Sequence, residues 1–326
     1  MDSKVTIVDR ISSLSSDADF AALAGEIFDY QRKHNALYGR FVQGVFGNSS
    51  FNLDQPALLP IQLFKSARVS CHDTKETIFL SSGTTLSTRS QHPVYDLSLY
   101  ERLSIQHFES IYGSLKDLVI LALLPSYEEQ GSSSLVFMVD RFILRADPRS
   151  KFLLHEPHLL KQTLSQLAEE KQPAVLFGVS YALLDFVELH KVEYPDLILM
   201  ETGGMKGRRK EMTRDELHAA LKLGFPASRI HSEYGMTELL SQGYLNDQGR
   251  FIPPRWMKAF TSEISDPLRI LGPGERGLLA FIDLANVHSC SFIQTQDIGI
   301  VQSDGTFSVE GRLDTSDLRG CNLLYT

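Results

Sequence analysis

The feature that most constrains this chain is an alternation that begins near residue 76. Short apolar runs at 76–80, 118–124, 174–179, 197–200 and 230–234 are separated by longer stretches with apolar residues at helical spacing, at 97–112, 133–144, 159–170, 181–191 and 215–223. Most of these runs are continuously apolar rather than alternating, which suits strands buried on both faces. A helix after each strand supplies the long crossover that parallel pairing needs. Thr213 followed by Glu216 forms a capping box that announces the last of these helices. The pattern predicts an α/β fold with a largely parallel sheet and flanking helices.

The flanks read differently. Residues 20–41 carry apolar positions at helical spacing and predict a lid or packing helix, whereas 43–72 are rich in turn formers and read as irregular. After residue 250, prolines, glycines and short β-like runs at 277–283 and 292–302 replace the helices, and Ser303-Asp304-Gly305 reads as a hairpin turn. The expected organisation is an N-terminal helical and irregular segment over 1–75, an α/β core over 76–250, and a smaller β-rich subdomain with a C-terminal tail over 251–326.

Composition excludes several classes. A net charge of -8 over 326 residues gives no basic field for nucleic-acid phosphates, and the short cluster at 206–210 reads as a solvated turn. Cys71, Cys290 and Cys321 are far apart and include no CxxC pair, which argues against a disulfide framework or a structural zinc site and fits a reducing compartment. The N-terminus lacks the pattern of a signal peptide, and the longest aliphatic run, 118–124, is too short to span a bilayer. A cytoplasmic protein without integral membrane contact is expected.

Several segments could carry chemistry. Ser81-Ser82-Gly83-Thr84-Thr85 follows a predicted strand, and its hydroxyls and glycine suit phosphate oxygens, although it is not a Walker loop. In Tyr234-Gly235-Met236-Thr237-Glu238 the tyrosine can stack on a nucleobase and the glutamate can hold Mg2+ against phosphates. Gly203-Gly204 follows another strand and lets a flat ligand lie against the backbone at the carboxyl edge of the sheet. Asp297, in Gln296-Asp297-Ile298-Gly299, suits a ribose diol, and Arg312 with Asp314 forms a charge pair. Each segment alone also reads as an ordinary turn. Gly178-Val179-Ser180-Tyr181-Ala182, between a strand and a helix, has the outline of a serine-hydrolase elbow with alanine in place of its second glycine.

Taken in order, Ser82–Thr85, Gly203-Gly204, Tyr234–Glu238, Asp297 and Gly311-Arg312-Leu313-Asp314 resemble the signature series of the adenylate-forming superfamily of acyl-CoA synthetases over roughly residues 75 to 326. A narrower resemblance, carried also by Leu124-Pro125-Ser126-Tyr127, the segment 131–139, Met205-Lys206-Gly207, Pro253-Pro254 and Arg319-Gly320-Cys321, is to the acyl-protein synthetases, which include the synthetase component of bacterial fatty acid reductase. In this chain Leu86 stands where that family's phosphate loop has a further glycine, with Arg89 the nearest following cation.

The resemblance implies a large adenylate-forming domain with a β-rich subdomain and without the mobile C-terminal domain. It implies ATP and Mg2+ as cofactors, a carboxylic or fatty acid as substrate, and an acyl-acceptor protein or a reductase as partner. Ser81, Ser82, Gly83, Thr84 and Thr85 would hold the phosphates, with Thr237 on the α-phosphate and Glu238 on Mg2+. Tyr234, Gly235, Gly203 and Gly204 would form the adenine slot, and Asp297 with Arg312 would grip the ribose. Lys206 would bridge the carboxylate and the α-phosphate, and Cys321 would take the acyl group. Two alternatives accompany this reading. One is a truncated acyl-CoA ligase of the phenylacetate type that uses CoA, and the other is a homologue that binds AMP or an acyl chain without catalysis.

Overall fold

A computed structural model describes residues 6–73, 76–82, 89–203, 209 and 212–313. The N-terminal part forms α1 (Ile7–Ser12), α2 (Asp17–His34), α3 (Ala36–Phe46), the two-residue β1 (Leu59–Pro60) and α4 (Leu63–Ser66). The middle forms β2 (Thr77–Leu80), β3 (Gln91–Val94), α5 (Leu97–Tyr112), β4 (Val119–Leu123), α6 (Ser134–Ile143), β5 (Lys151–Phe152), α7 (Pro157–Glu170), β6 (Ala174–Gly178), α8 (Ser180–Leu189), β7 (Leu197–Glu201), α9 (Arg214–Gly224) and β8 (Arg229–Tyr234). The last part forms β9 (Gly243–Leu245), β10 (Phe251–Ile252), β11 (Met257–Ser262), β12 (Arg276–Asp283), β13 (Phe292–Val301) and β14 (Phe307–Arg312). The chain divides into two compact units. A β-rich unit takes Met1–Glu76, His92–Tyr95 and Asp247–Thr326, and an α/β unit takes Thr77–Gln91 and Asp96–Asn246.

In the α/β unit, β5, β4, β6, β7 and β8 lie side by side as a parallel sheet, and β9 adds antiparallel to β8. Every residue of β4, β6 and β7 is buried, which is why these runs carry no polar alternation. Burying one such Val, Leu or Ile side chain contributes about 1.5–3 kcal/mol. Phe108 of α5, Phe142 of α6 and Phe177 of β6 pack together, with ring centroids 4.8 Å to 6.1 Å apart. Asp96 caps α5 by accepting from the Leu99 N–H at 3.0 Å. The expected capping box of Thr213 and Glu216 starts α9. Glycine at 178 is a packing requirement, because a Cβ there would sit 2.7 Å from the Leu183 side chain.

In the β-rich unit, β11, β12, β13, β14 and β10 form an antiparallel sheet, and β1 joins β13 in parallel. The expected hairpin turn joins β13 to β14: the Gln302 N–H donates to the Thr306 carbonyl at 2.8 Å, and Gly305 takes φ +82, which favours glycine. The single helix expected over 20–41 is two helices. Asn35 is buried between them, and its Oδ1 accepts from the Leu37 and Tyr38 N–H groups at 3.1 and 3.0 Å. Its Nδ2 donates to the Ser289 carbonyl at 2.9 Å. A short amide that bonds the following backbone competes with helix continuation, and here it ends α2 and starts α3.

Candidate functional site

Parallel register sets the candidate site. Gly178 pairs with Glu201 across β6 and β7, and Glu201 pairs with Ser232 across β7 and β8. The carboxyl ends of β6 and β7 therefore lie level and β8 runs two residues further, at the edge where open α/β sheets bind ligands. Glu201 closes β7 and is only 5% exposed. Its Oε2 accepts from the Gly203 N–H at 2.8 Å and from the Ser180 hydroxyl at 3.3 Å. Its Oε1 lies 3.9 Å from Nε2 of His218 on α9, and that nitrogen is 3.1 Å from the Ser232 hydroxyl. Burial pushes the Glu201 carboxyl up, but hydrogen bonds from His218, Ser232 and the Gly203 N–H outweigh this and hold it below its usual range. Glu233, one residue on from Ser232, behaves oppositely. Burial, reinforced by the Glu201 charge, pushes its carboxyl up to about 8.

Two backbone segments leave this edge. After β7 the chain turns at Gly203, whose φ of +72 lies in the left-handed region. After β8, residues 235–242 run to β9 without forming a helix, and the Leu239 N–H donates to the Met236 carbonyl at 3.2 Å. Tyr234 is the last residue of β8 and pairs with Gly243, while Glu238 is 7% exposed. A Cβ on Gly235 would run into Oε1 of Glu233, so the glycine leaves room for that carboxyl.

Ser81 and Ser82 follow β2. The Ser81 N–H donates to the Ser90 carbonyl at 3.0 Å, and the Ser90 N–H returns to the Ser81 hydroxyl at 2.9 Å, which ties Ser81 to Ser90. Ser180 stands at the start of α8 and is 2% exposed. Its bond runs to a carboxylate rather than to an imidazole, and the burial leaves no access for a substrate. This geometry does not support the serine-hydrolase outline.

No protein-family profile and no curated protein matches the sequence. Solved structures do match. A 2-hydroxyisobutyryl-CoA ligase in the postadenylation state shares 12% identity over 91% of this chain and 68% of its own, with a TM-score of 0.65. A long-chain-fatty-acid-CoA ligase from Archaeoglobus fulgidus shares 15% over 76% and 53%, at 0.52. ATP-bound MatB from Rhodopseudomonas palustris shares 16% over 74% and 49%, at 0.51.

The chain shares its fold with these CoA ligases. The chain spans between 49% and 68% of the length of these ligases.

On this fold the α/β unit brings Gly203, Tyr234, Gly235, Thr237 and Glu238 to the carboxyl ends of the neighbouring strands β7 and β8. Asp297 and Arg312 belong to the β-rich unit, where they face each other across β13 and β14 with Asp297 Oδ1 3.8 Å from Arg312 Nε. The register slips between Ile298 and Gly299, next to Asp297, and such a bulge re-aims the side chains around it. Gly83, Thr84, Thr85, Gly204, Lys206 and Cys321 lie outside the described residues.

A cavity of about 730 Å³ in the β-rich unit is lined by residues including Pro253, Pro254, Met257, Phe260 and Leu271, and by none of the candidate residues. Among the described residues no cluster of three or more His, Cys, Asp or Glu side chains could hold a metal ion, and no helix is long and apolar enough to cross a membrane. Thr237 and Glu238 are consecutive residues that supply one hydroxyl and one carboxylate, oxygen donors of the kind Mg2+ takes alongside phosphates and water.

Sequence reasoning missed Glu201, His218, Ser232 and Glu233. The signal was there for Glu201, as a carboxylate closing the otherwise apolar run of β7. Nothing in the sequence pointed to His218, which reads as one polar position on an amphipathic helix.

Proposed function

We propose that this protein activates a carboxylic acid, and specifically a fatty acid, by ATP-dependent formation of an acyl-adenylate, and passes the acyl group to a protein thiol. The observation that carries this reading is the meeting of two expected segments, the Gly203 turn and the Tyr234–Glu238 loop, at the carboxyl ends of adjacent parallel strands in an adenylate-forming fold. Similarity to ligases that act on acids supports it.

A carboxylate cannot be attacked readily, because its oxygen leaves poorly. In the proposed first half-reaction, a carboxylate oxygen attacks the α-phosphorus of ATP. The bond from that phosphorus to the bridging oxygen breaks, and pyrophosphate leaves with the electron pair. Both reactants are anionic, so donors and positive charge must meet them. Ser81, Ser82, Gly83, Thr84 and Thr85 serve the phosphates, and Lys206 bridges the carboxylate and the α-phosphate. Thr237 contacts the α-phosphate. Tyr234, Gly235, Gly203 and Gly204 form the adenine slot, and Asp297 with Arg312 takes the ribose. Glu238 would hold Mg2+, which when bound would neutralise charge on the phosphates. In the second half-reaction the Cys321 thiolate attacks the acyl carbonyl, the bond to the phosphate oxygen breaks, and AMP leaves. Arg319 favours the thiolate.

The test is acid-dependent exchange of pyrophosphate into ATP, run against acids of increasing chain length. Exchange with fatty acids, followed by a hydroxylamine-labile acyl group that Cys321→Ser removes while exchange persists, is the expected result. Exchange with no acid refutes adenylation and leaves a binding homologue. A second reading is favoured by the CoA-ligase identity of the similar structures, namely that CoA is the acceptor. Free acyl-CoA from acid, ATP and CoA, without labelling of Cys321, decides for it.

A further inference from the structure

Glu201 belongs to none of the expected motifs, yet it holds Gly203, two residues beyond the end of β7. One oxygen, Oε2, receives both the Gly203 N–H at 2.8 Å and the Ser180 hydroxyl at 3.3 Å. The other lies 3.9 Å from His218 Nε2, which reaches the Ser232 hydroxyl at 3.1 Å. A single carboxylate thus ties the Gly203 turn to the start of α8, to α9 and to β8. We propose that Glu201 is a positioning residue for the nucleotide, fixing through the Gly203 N–H the turn against which the adenine lies; this rests on the adenylation reading above.

Three features support the assignment. Gly203 sits at φ +72, in the left-handed region that favours glycine, and its N–H donates to Glu201 Oε2 at 2.8 Å. Burying a carboxylate is unfavourable compared with an apolar residue of similar size, so a structure that keeps one gains from its bonds rather than its bulk. The charge is retained in place, because the donors around Glu201 hold its carboxyl below the usual range. Neighbouring charges respond to it: Glu201 opposes the burial that lowers Arg214, and it helps to raise Glu233. A group acting through a backbone turn affects ligand placement without touching the reacting atoms.

The experiment measures pyrophosphate exchange and ATP binding by calorimetry for the wild-type chain, Glu201→Ala and Glu201→Gln. For Glu201→Ala we expect KM for ATP to rise about tenfold, with KM for the acid within about twofold and kcat within about threefold. Glu201→Gln keeps an acceptor for the Gly203 N–H and should recover most of the ATP affinity. If Glu201→Ala does not fold, Glu201→Asp replaces it: the charge stays but the shorter side chain draws back from Gly203, and the same ATP-selective rise is expected. An unchanged KM for ATP in a folded Ala or Asp variant overturns the proposal, as does an equal loss in both KM values and kcat. A wild-type chain that neither exchanges with any acid nor binds ATP overturns the adenylation reading and this inference with it, an outcome distinct from an active enzyme whose Glu201 variants keep their ATP affinity.

Discussion

Glu233→Gln should flatten the pH dependence of stability between pH 6 and pH 8. Burial, with the Glu201 charge added, raises the Glu233 carboxyl from 4.5 to about 8 in the folded protein. Unfolding returns it to its ordinary value, so between these limits the folded state carries one more proton than the unfolded state. Stability from this group is therefore fully present below pH 4.5, falls as pH rises, and is lost once pH passes about 8. At about 1.4 kcal/mol per pH unit, the whole span is worth about 5 kcal/mol, and the interval from pH 6 to pH 8 accounts for about 2–3 kcal/mol of it. Glutamine keeps the shape and cannot ionise, so the variant should lose this slope and be the more stable protein at pH 8. Glu201 is shifted the other way, and its contribution falls away only on acidification, outside this interval. Urea titrations at pH 6, 7 and 8, with the midpoint and slope compared between wild type and variant, read the effect directly. Equal pH slopes in the two proteins would refute the reasoning, because Glu233 would then ionise in the folded chain as it does in the unfolded one.

Gly299→Ala should destabilise the β-rich unit by about 2–3 kcal/mol, because its Cβ would meet the Ser308 carbonyl oxygen of the paired strand and lie 3.0 Å from Leu279; thermal unfolding checks it, and an unchanged midpoint refutes it. Asn35→Ala should cost about 2 kcal/mol in urea unfolding, since it removes the acceptor for two N–H groups at the start of α3 and the donor to Ser289; a loss under about 0.5 kcal/mol would mean water replaces the cap. Glu238→Gln should lower acid-dependent exchange by about 100-fold with little change in thermal stability, and a rate within a few-fold of wild type would remove Glu238 from the proposed chemistry.

In the α/β unit β4, β6, β7 and β8 and the helices α5 to α9 were legible because local pattern and tertiary role agree, whereas the short β5 and β9 were not. The continuous runs of β4, β6 and β7 are buried on both faces, and the helical spacing over 97–112 coincides with α5. The break at Asn35 was not legible, since an asparagine within a helical pattern caps a new helix only when a partner such as the Ser289 carbonyl fixes its amide. The signature segments could be read singly because glycines, hydroxyls and carboxylates after a strand have local meanings. Glu201, His218, Ser232 and Glu233 could not, since what they do depends on neighbours far away in the chain.

The amino-acid order alone determined the alternation, the approximate strand ends and the residue types available there, because periodicity and turn chemistry are properties of near neighbours. Only the folded chain decided which ends lie level, and so which carboxylate stays charged and which keeps its proton. Register places Glu201 beside Ser232, with His218 and the Gly203 N–H in reach, whereas Glu233 meets burial and a like charge. Two identical side chains on adjacent strands thus take opposite protonation behaviour, because a carboxyl's ionisation answers to the donors and charges within a few ångströms in space.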